Sequence, residues 1–465
     1  MSYLIFTLIF ITGLLIVLLL SDKFSLGELL GLPFIIGLGC SSFLMFFLDA
    51  VKMGITYSHL ITGLLVTIVA ACGALAYLYS KGKRSVEFLK KQKFSLSGLT
   101  LPWLIFVGFG AYLAYGITLK CLYWPPAEFD SIEGYDLLAK AIAHEGTIAN
   151  SILTNHTIVA GCGPRLLYPP LFASCNAICY MSGMESPKLI TALFFISGLI
   201  VFYSLIKRFV PHTVAAIATF MMMIAPEMFS NASFTLTNLP TAIYASIAVI
   251  SFFIWRNQKI EGFFYLSLLA LLFGTWTRSD AIVFYPGIIL VLLYDAWKAK
   301  SVRHLLAYGI IGSLSFVLWH FYLTAHVERK QDSFFIAKLF YDGNKLHEVL
   351  SHAWTMLMET NLYGIVFYVF LPVIVVNAAF SLYKRKPDMV DFIVVAFGGW
   401  LMYTLLYYQM KDTDGSLFAS GGWMLSGYKR GMFSFVPLAV FYCATNQLAT
   451  QLYATIASIT SVEKS

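Results

Sequence analysis

Apolar runs long enough to cross a bilayer follow one another along almost the whole chain, and that recurrence limits what it can fold into. A hydrocarbon core about 30 Å thick is spanned by about 20 helical residues, since each residue adds about 1.5 Å. Such runs fall at approximately 3–20, 28–50, 59–80, 99–121, 189–207, 213–229, 239–255, 262–276, 281–296, 304–323, 362–382, 390–409 and 433–453. Charged residues make up only 12% of the sequence, where a soluble domain carries about 25%. The pattern predicts an all-α polytopic membrane protein, about 13 transmembrane helices in a single domain over 1–465. The first run has no basic residue before it and no small-x-small site after it, so it is expected to stay as a span.

Basic residues concentrate in alternate connections: Lys81, Lys83, Arg84, Lys90, Lys91 and Lys93; Lys207 and Arg208; Arg256 and Lys259; Lys298, Lys300 and Arg303; and Lys384, Arg385 and Lys386. Short loops rich in Lys and Arg stay cytoplasmic. The loop 122–188, the segments near 230 and 278, and the loops 324–361 and 410–431 are then expected on the outer face, with the N-terminus outside and the C-terminus inside. The net charge of +7 is mostly this anchoring set. No basic surface interleaved with aromatics is present, so no nucleic-acid partner is expected. No Gly-rich phosphate loop is present either, and the cytoplasmic connections are too short for a nucleotide-binding domain.

Cys40, Cys72 and Cys443 lie within apolar runs and read as small packing residues. Cys121, Cys162, Cys175 and Cys179 fall in or beside the first outer loop, where the compartment permits disulfides and a bridge from Cys162 to Cys175 or Cys179 stays open. Asn155 and Asn231 begin glycosylation triplets.

The most polar stretch follows Trp124-Pro125-Pro126, where Glu128-Phe129-Asp130 leads into Ser131 to Glu145. Leu137, Leu138, Ala141 and Ile142 recur at helical spacing against Glu133, Asp136, Lys140 and His144, which describes an amphipathic helix along the membrane surface, stopped by Gly146. Asp130 with Glu133 reads as a capping box, and Asp136 with Lys140 as an i, i+4 pair. A capped carboxylate is also fixed in position, so capping and catalysis are compatible. A rigid Tyr168-Pro169-Pro170 turn closes the stretch. Further on, Arg278 and Asp280 stand between short apolar runs, where an ionisable pair at membrane depth faces a cavity or closes a helical hairpin. Lys338, Asp342, Lys345, His347 and His352 outline a second surface helix, and the five-residue spacing of the two histidines does not suit a metal.

Three segments carry a resemblance: Glu128-Phe129-Asp130 with Gly134-Tyr135-Asp136-Leu-Leu-Ala-Lys-Ala-Ile-Ala, then Leu167-Tyr168-Pro169-Pro170-Leu171, then Trp276-Thr277-Arg278-Ser279-Asp280. Together with Tyr428-Lys429-Arg430-Gly-Met-Phe-Ser-Phe-Val-Pro437, they resemble the GT-C superfamily of polytopic glycosyltransferases. That superfamily includes the protein O-mannosyltransferases and the lipid A aminoarabinose transferases. The chain departs from many members in placing three spans before the helix that leads to the acidic loop.

The resemblance implies a transferase of the cell envelope, in a bacterial plasma (inner) membrane with its active site facing outside. It would move a sugar from a polyprenyl-phosphate donor to a glycan, lipid or protein acceptor on the periplasmic or luminal side, with inversion. Asp130 is then the general base. Arg278, Lys429, Arg430 and Arg165 are the candidates for the phosphate, and Glu128, Glu133, Asp136, Tyr168 and Asp280 complete the substrate-binding set. No cofactor is demanded, and a divalent metal stays open although no metal ligand set is read. Two rivals remain. One is a secondary transporter or flippase of lipid-linked or small polar substrates, which would place its ions near the bilayer midplane. The other is an O-antigen ligase or polymerase.

Overall fold

The computed structural model describes residues 2–82, 100–327, 342–410, 417–418, 422 and 424–462. Lys83, Arg84, Lys90, Lys91, Lys93 and Lys338 lie outside the described residues. All regular elements among the described residues are helical, as expected. They begin with α1 (Ser2–Leu20), α2 (Leu26–Ala50), α3 (Tyr57–Ser80) and α4 (Leu101–Tyr123). The first polar region supplies α5 (Asp136–Glu145), α6 (His156–Cys162) and α7 (Leu171–Met181). There follow α8 (Lys188–Ile206), α9 (His212–Ile224), α10 (Pro226–Asn231), α11 (Asn238–Gln258), α12 (Glu261–Thr277), α13 (Tyr285–Ala299) and α14 (Arg303–His326). The last group is α15 (Gly343–Leu357), α16 (Val366–Tyr383), α17 (Val390–Tyr408), α18 (Val436–Thr445) and α19 (Gln447–Val462).

Among the described residues, ten helices are long and apolar enough to cross a membrane, or up to eleven with one bent pair, so the chain is an integral membrane protein. The count is lower than the expected 13 for local reasons. The run at 213–229 is broken because Ala225, before Pro226, takes an extended ψ of 123°, which leaves α9 with 13 residues. The run at 262–276 becomes the 17-residue α12. The run at 433–453 bends by 44° between α18 and α19.

Every residue of α11 from Asn238 to Trp255 is buried, because it packs against α8, α12, α17 and α18 and has no free face. A helix apolar all round belongs in such a position. By contrast, α4 buries only Ile117 and Cys121 and presents the rest of its apolar surface outward.

Ion pairs gather the basic connections at one end of the bundle. Arg208 donates from Nε and Nη2 to Glu28 at 2.6 Å each, and from Nη1 to Gln258 at 3.3 Å. Arg256 pairs with Asp295 and, at 2.8 Å, with Asp391. These contacts tie the ends of α8, α11 and α13 to the starts of α2 and α17.

At the other end of α11, α5 packs on α7 and α7 on α2. The second surface helix is α15, where Asp342 Oδ1 accepts from the Asn344 and Lys345 amides and Val349, Ala353 and Met356 face inward. All seven cysteines are free, and the considered bridge is not formed: Cys175 and Cys179 are buried in α7 while Cys162 is half-buried on α6.

A charged cluster as the candidate functional site

The capping box expected at Asp130 and Glu133 does not form. Asp130 is already in the right-handed helical region (φ −64°, ψ −24°) and its side chain accepts no backbone amide. The chain instead enters a π-helical turn at Ser131–Tyr135, with the amides of Ser131 and Ile132 both directed at the Glu128 carbonyl (3.0 and 2.9 Å). Such a turn takes one extra residue and redirects the side chains that follow, and π turns are frequent at functional sites. The Ser131 and Thr235 hydroxyls bond each other, and Thr237 donates to the Tyr135 hydroxyl at 3.1 Å, which pins the turn to the segment before α11.

Freed from a capping role, the Asp130 carboxylate is shared by arginines from two distant parts of the chain. Arg430 Nη1 donates to it across 300 residues of sequence. Arg165 Nη1 lies 3.1 Å away, within ion-pair range but not aligned for a hydrogen bond. Arg165 also reaches Glu133 at 3.6 Å, and its guanidinium sits 4.5 Å from the Phe129 ring centre. Gly134 makes this approach possible, because a Cβ there would come within 2.9 Å of Arg165 Cγ.

Arg430 is delivered by a second π turn, Met424–Tyr428, and both π turns end in Gly-Tyr: Gly134-Tyr135 and Gly427-Tyr428. Tyr403 donates to the Gly427 carbonyl at 3.2 Å, and Tyr363 donates to the Lys429 carbonyl at 2.8 Å. Gly431 allows the segment to lie on Tyr403, since a Cβ there would stand 1.8 Å from Tyr403 Cζ.

Arg278 is buried beneath these residues. It donates to Asp280 from Nε (3.1 Å) and Nη2, and to Asn238 Oδ1 from Nη1 (2.6 Å). Its guanidinium lies 5.3 Å from the ring centre of Tyr168, which stacks on Tyr135 at 6.1 Å. Burial works against the charge, but Asp280 and the surrounding Tyr168, Tyr403 and Tyr135 outweigh it and hold the Arg278 pKa above its ordinary value. From Asn238 a polar chain continues to Asn231 (3.2 Å), then to Glu227 (3.0 Å), and ends at Lys429, 3.4 Å from Glu227. The sequence reading missed Glu227 and Asn238, and took Asn231 only as a glycosylation triplet. The signal available was an acid and two amides placed beside apolar runs at the end of the bundle that also holds Arg278.

Arg278, Asp280, Tyr403 and Arg430 line one narrow cleft of about 10 Å³. Phe435 lines it too and also borders a far larger apolar groove of about 410 Å³, formed by residues of α15, α16, α17 and α18 such as Trp354, Phe370 and Leu438.

Asp130, Glu133, Arg165, Arg430, Arg278, Asp280 and Tyr168 therefore belong to one neighbourhood, and Lys429 joins it through Glu227. Asp136 does not contribute its carboxylate. It is buried, accepts from the Tyr180 hydroxyl, and lies 2.8 Å from Lys140, so the i, i+4 pair forms with a hidden acid. Burial and the adjacent Asp136 push the Tyr180 phenol well up. Glu128 is half-buried and bonds locally, 3.4 Å from the Ala127 amide. Among the described residues, no group of three or more His, Cys, Asp or Glu side chains is gathered for a metal ion. No protein-family model, curated protein or solved structure matches the chain.

Proposed function

We propose that the protein is a membrane glycosyltransferase that moves a sugar from a polyprenyl-phosphate donor to an acceptor hydroxyl, with inversion. One observation carries the reading: Asp130 is shared by Arg430 and Arg165, and Arg430 borders a cleft that has Phe435 in common with the apolar groove. A donor of this class presents a phosphate and a long apolar tail, and cluster and groove offer a place for each.

The arginines divide the work by accessibility. The Arg430 side chain is 38% exposed and is free to meet a phosphate. The Arg278 side chain is 8% exposed and is held by Asp280 and Asn238, so it orients the cleft and does not travel. When the donor phosphate takes Arg430, Asp130 loses one cationic partner, and its carboxylate can accept the proton of the incoming hydroxyl. The acceptor oxygen then bonds to the sugar carbon from the face opposite the leaving group. The sugar–phosphate C–O bond breaks, and its electron pair stays on the phosphate, where Arg430 and Arg165 stabilise it.

The test uses full-length protein at matched levels in membranes. Asp130→Asn is expected to lower transfer by about 10²- to 10⁴-fold, the range of a general base, while lipid-linked sugar still copurifies. Arg430→Gln is expected to lose the copurifying donor, as measured by mass spectrometry. Near-normal transfer by Asp130→Asn removes that residue from catalysis. Movement of intact lipid-linked sugar across vesicles, unchanged by Asp130→Asn, would favour a flippase.

A further inference from the structure

A second polar cavity, of about 220 Å³, opens at the opposite end of α11 from the Asp130 cluster. A water takes about 30 Å³ of liquid volume, so the space holds several waters or one phosphate group. Its lining includes Arg256 and Lys259 from the end of α11, Asp295 and Lys298 from α13, and Ser301 and His304 at the start of α14.

The charges here are unbalanced in a definite way. Arg256 is occupied by two carboxylates, Asp295 in the cavity lining and Asp391 outside it. His304 is held by Glu261 at 3.1 Å. Lys259 and Lys298 have no carboxylate partner among the described residues and rest only over the rings of Trp255 and Tyr294, each at 6.0 Å. The first turn of α14 adds a third positive element. Its N-cap, Val302, has no side chain that can satisfy the leading amides, and Ser301 before the cap, with His304 and Leu305 of that turn, borders the cavity. Two ammonium groups without a carboxylate partner among the described residues, an uncapped helix start and a concave space whose one lining acid, Asp295, is taken by Arg256 together make an anion site.

The surroundings indicate where the anion comes from. On α13, Tyr294, one turn before Lys298, and Trp297, next to it, are exposed, Trp297 by 81%, and Leu290 and Leu293 continue the apolar face. Aromatic rings of this kind sit at the headgroup level of a bilayer with apolar residues beneath them. Basic pockets between membrane helices take lipid head groups. We infer that this cavity binds a phosphate group, presented by the head group of an anionic membrane lipid whose chains lie along α13. The site is separate from the donor site proposed above and does not rest on it.

Native mass spectrometry of the full chain in mild detergent tests this with dioleoyl phosphatidic acid, dioleoyl phosphatidylcholine and inorganic phosphate as separate probes. Phosphatidic acid is expected to remain bound to the unaltered protein and to be retained about tenfold less by the Lys259→Gln/Lys298→Gln double variant, while phosphatidylcholine is retained equally by both. Millimolar inorganic phosphate should displace the lipid. Phosphate binding that depends on both lysines, without lipid retention, would assign the same site to free phosphate. Equal retention of phosphatidic acid by protein and double variant overturns the proposal. So does an equal loss in Lys384→Gln, which lies outside the cavity, since the effect would then belong to the whole basic rim.

Discussion

At one end of the bundle Arg208 grips Glu28 through two contacts of 2.6 Å; Glu28 is completely buried, and the Ser25 amide adds a third bond at 2.6 Å. At the other end Asp130 is shared by Arg430 and Arg165, its side chain is 16% exposed, and Arg165 is not aligned to bond it. Both are arginine–carboxylate pairs that join distant segments. In the first the carboxylate is saturated and closed to solvent, so nothing can compete for Glu28. The second is open and under-bonded, so a phosphate or a hydroxyl can. Residue type does not separate a staple from a reactive pair; accessibility and unused bonding capacity do.

The widest gap between the two ends should appear on removing the acid. Glu28→Ala leaves the partly buried Arg208 without its carboxylate, and breaking a buried pair costs about 3–5 kcal/mol at most. Unfolding in mixed micelles should register that loss, with activity per folded molecule unchanged. If Glu28→Ala folds normally, the closed pair is not a staple and the contrast fails.

Tyr180→Phe probes a buried acid inside the same loop as Asp130. It removes the hydrogen bond to Asp136, and bonds to charged groups contribute about 1.5–3 kcal/mol. The expected result is a lower Tm with transfer per folded molecule retained, and a selective loss of transfer would bring Asp136 back into the site. Gly431→Ala sharpens the comparison from the Arg430 side. The added methyl would meet the Tyr403 ring, and overpacking of this kind costs about 1–3 kcal/mol. Displacing the segment that carries Arg430 should weaken donor retention as well as stability. Donor retention unchanged beside a lowered Tm would separate Arg430 from the phosphate.

The smallest expected effect is the stability of Asp130→Ala. Loss of a capping side chain costs about 0.5–2 kcal/mol, but Asp130 caps nothing, so the stability of the variant should stay within about 0.5 kcal/mol of the unaltered protein. A drop in the capping range would restore the structural reading and weaken the catalytic one.

Membrane residence, the helical class and the polar interruptions at 122–188 and 324–361 were legible from the residues alone, because a 20-residue apolar run and a 3.6-residue period are local properties. So was the helix α5, although Asp136 of its expected polar side is buried. Local reasoning failed where a neighbour several turns away decides the outcome. Pro226 and the bend between α18 and α19 cut the span count, and the π turn at Ser131–Tyr135, anchored by Thr235 and Thr237, converted an apparent cap into a carboxylate shared by two arginines. Asp130 and Asp136 look alike in the sequence, six residues apart. Only the packing of α7 turns Asp136 toward Tyr180, and only the fold carries Arg430 across 300 residues to Asp130. Hydrophobicity and periodicity are written into short segments, whereas the partner of a charge is chosen by how helices distant in sequence come to lie together.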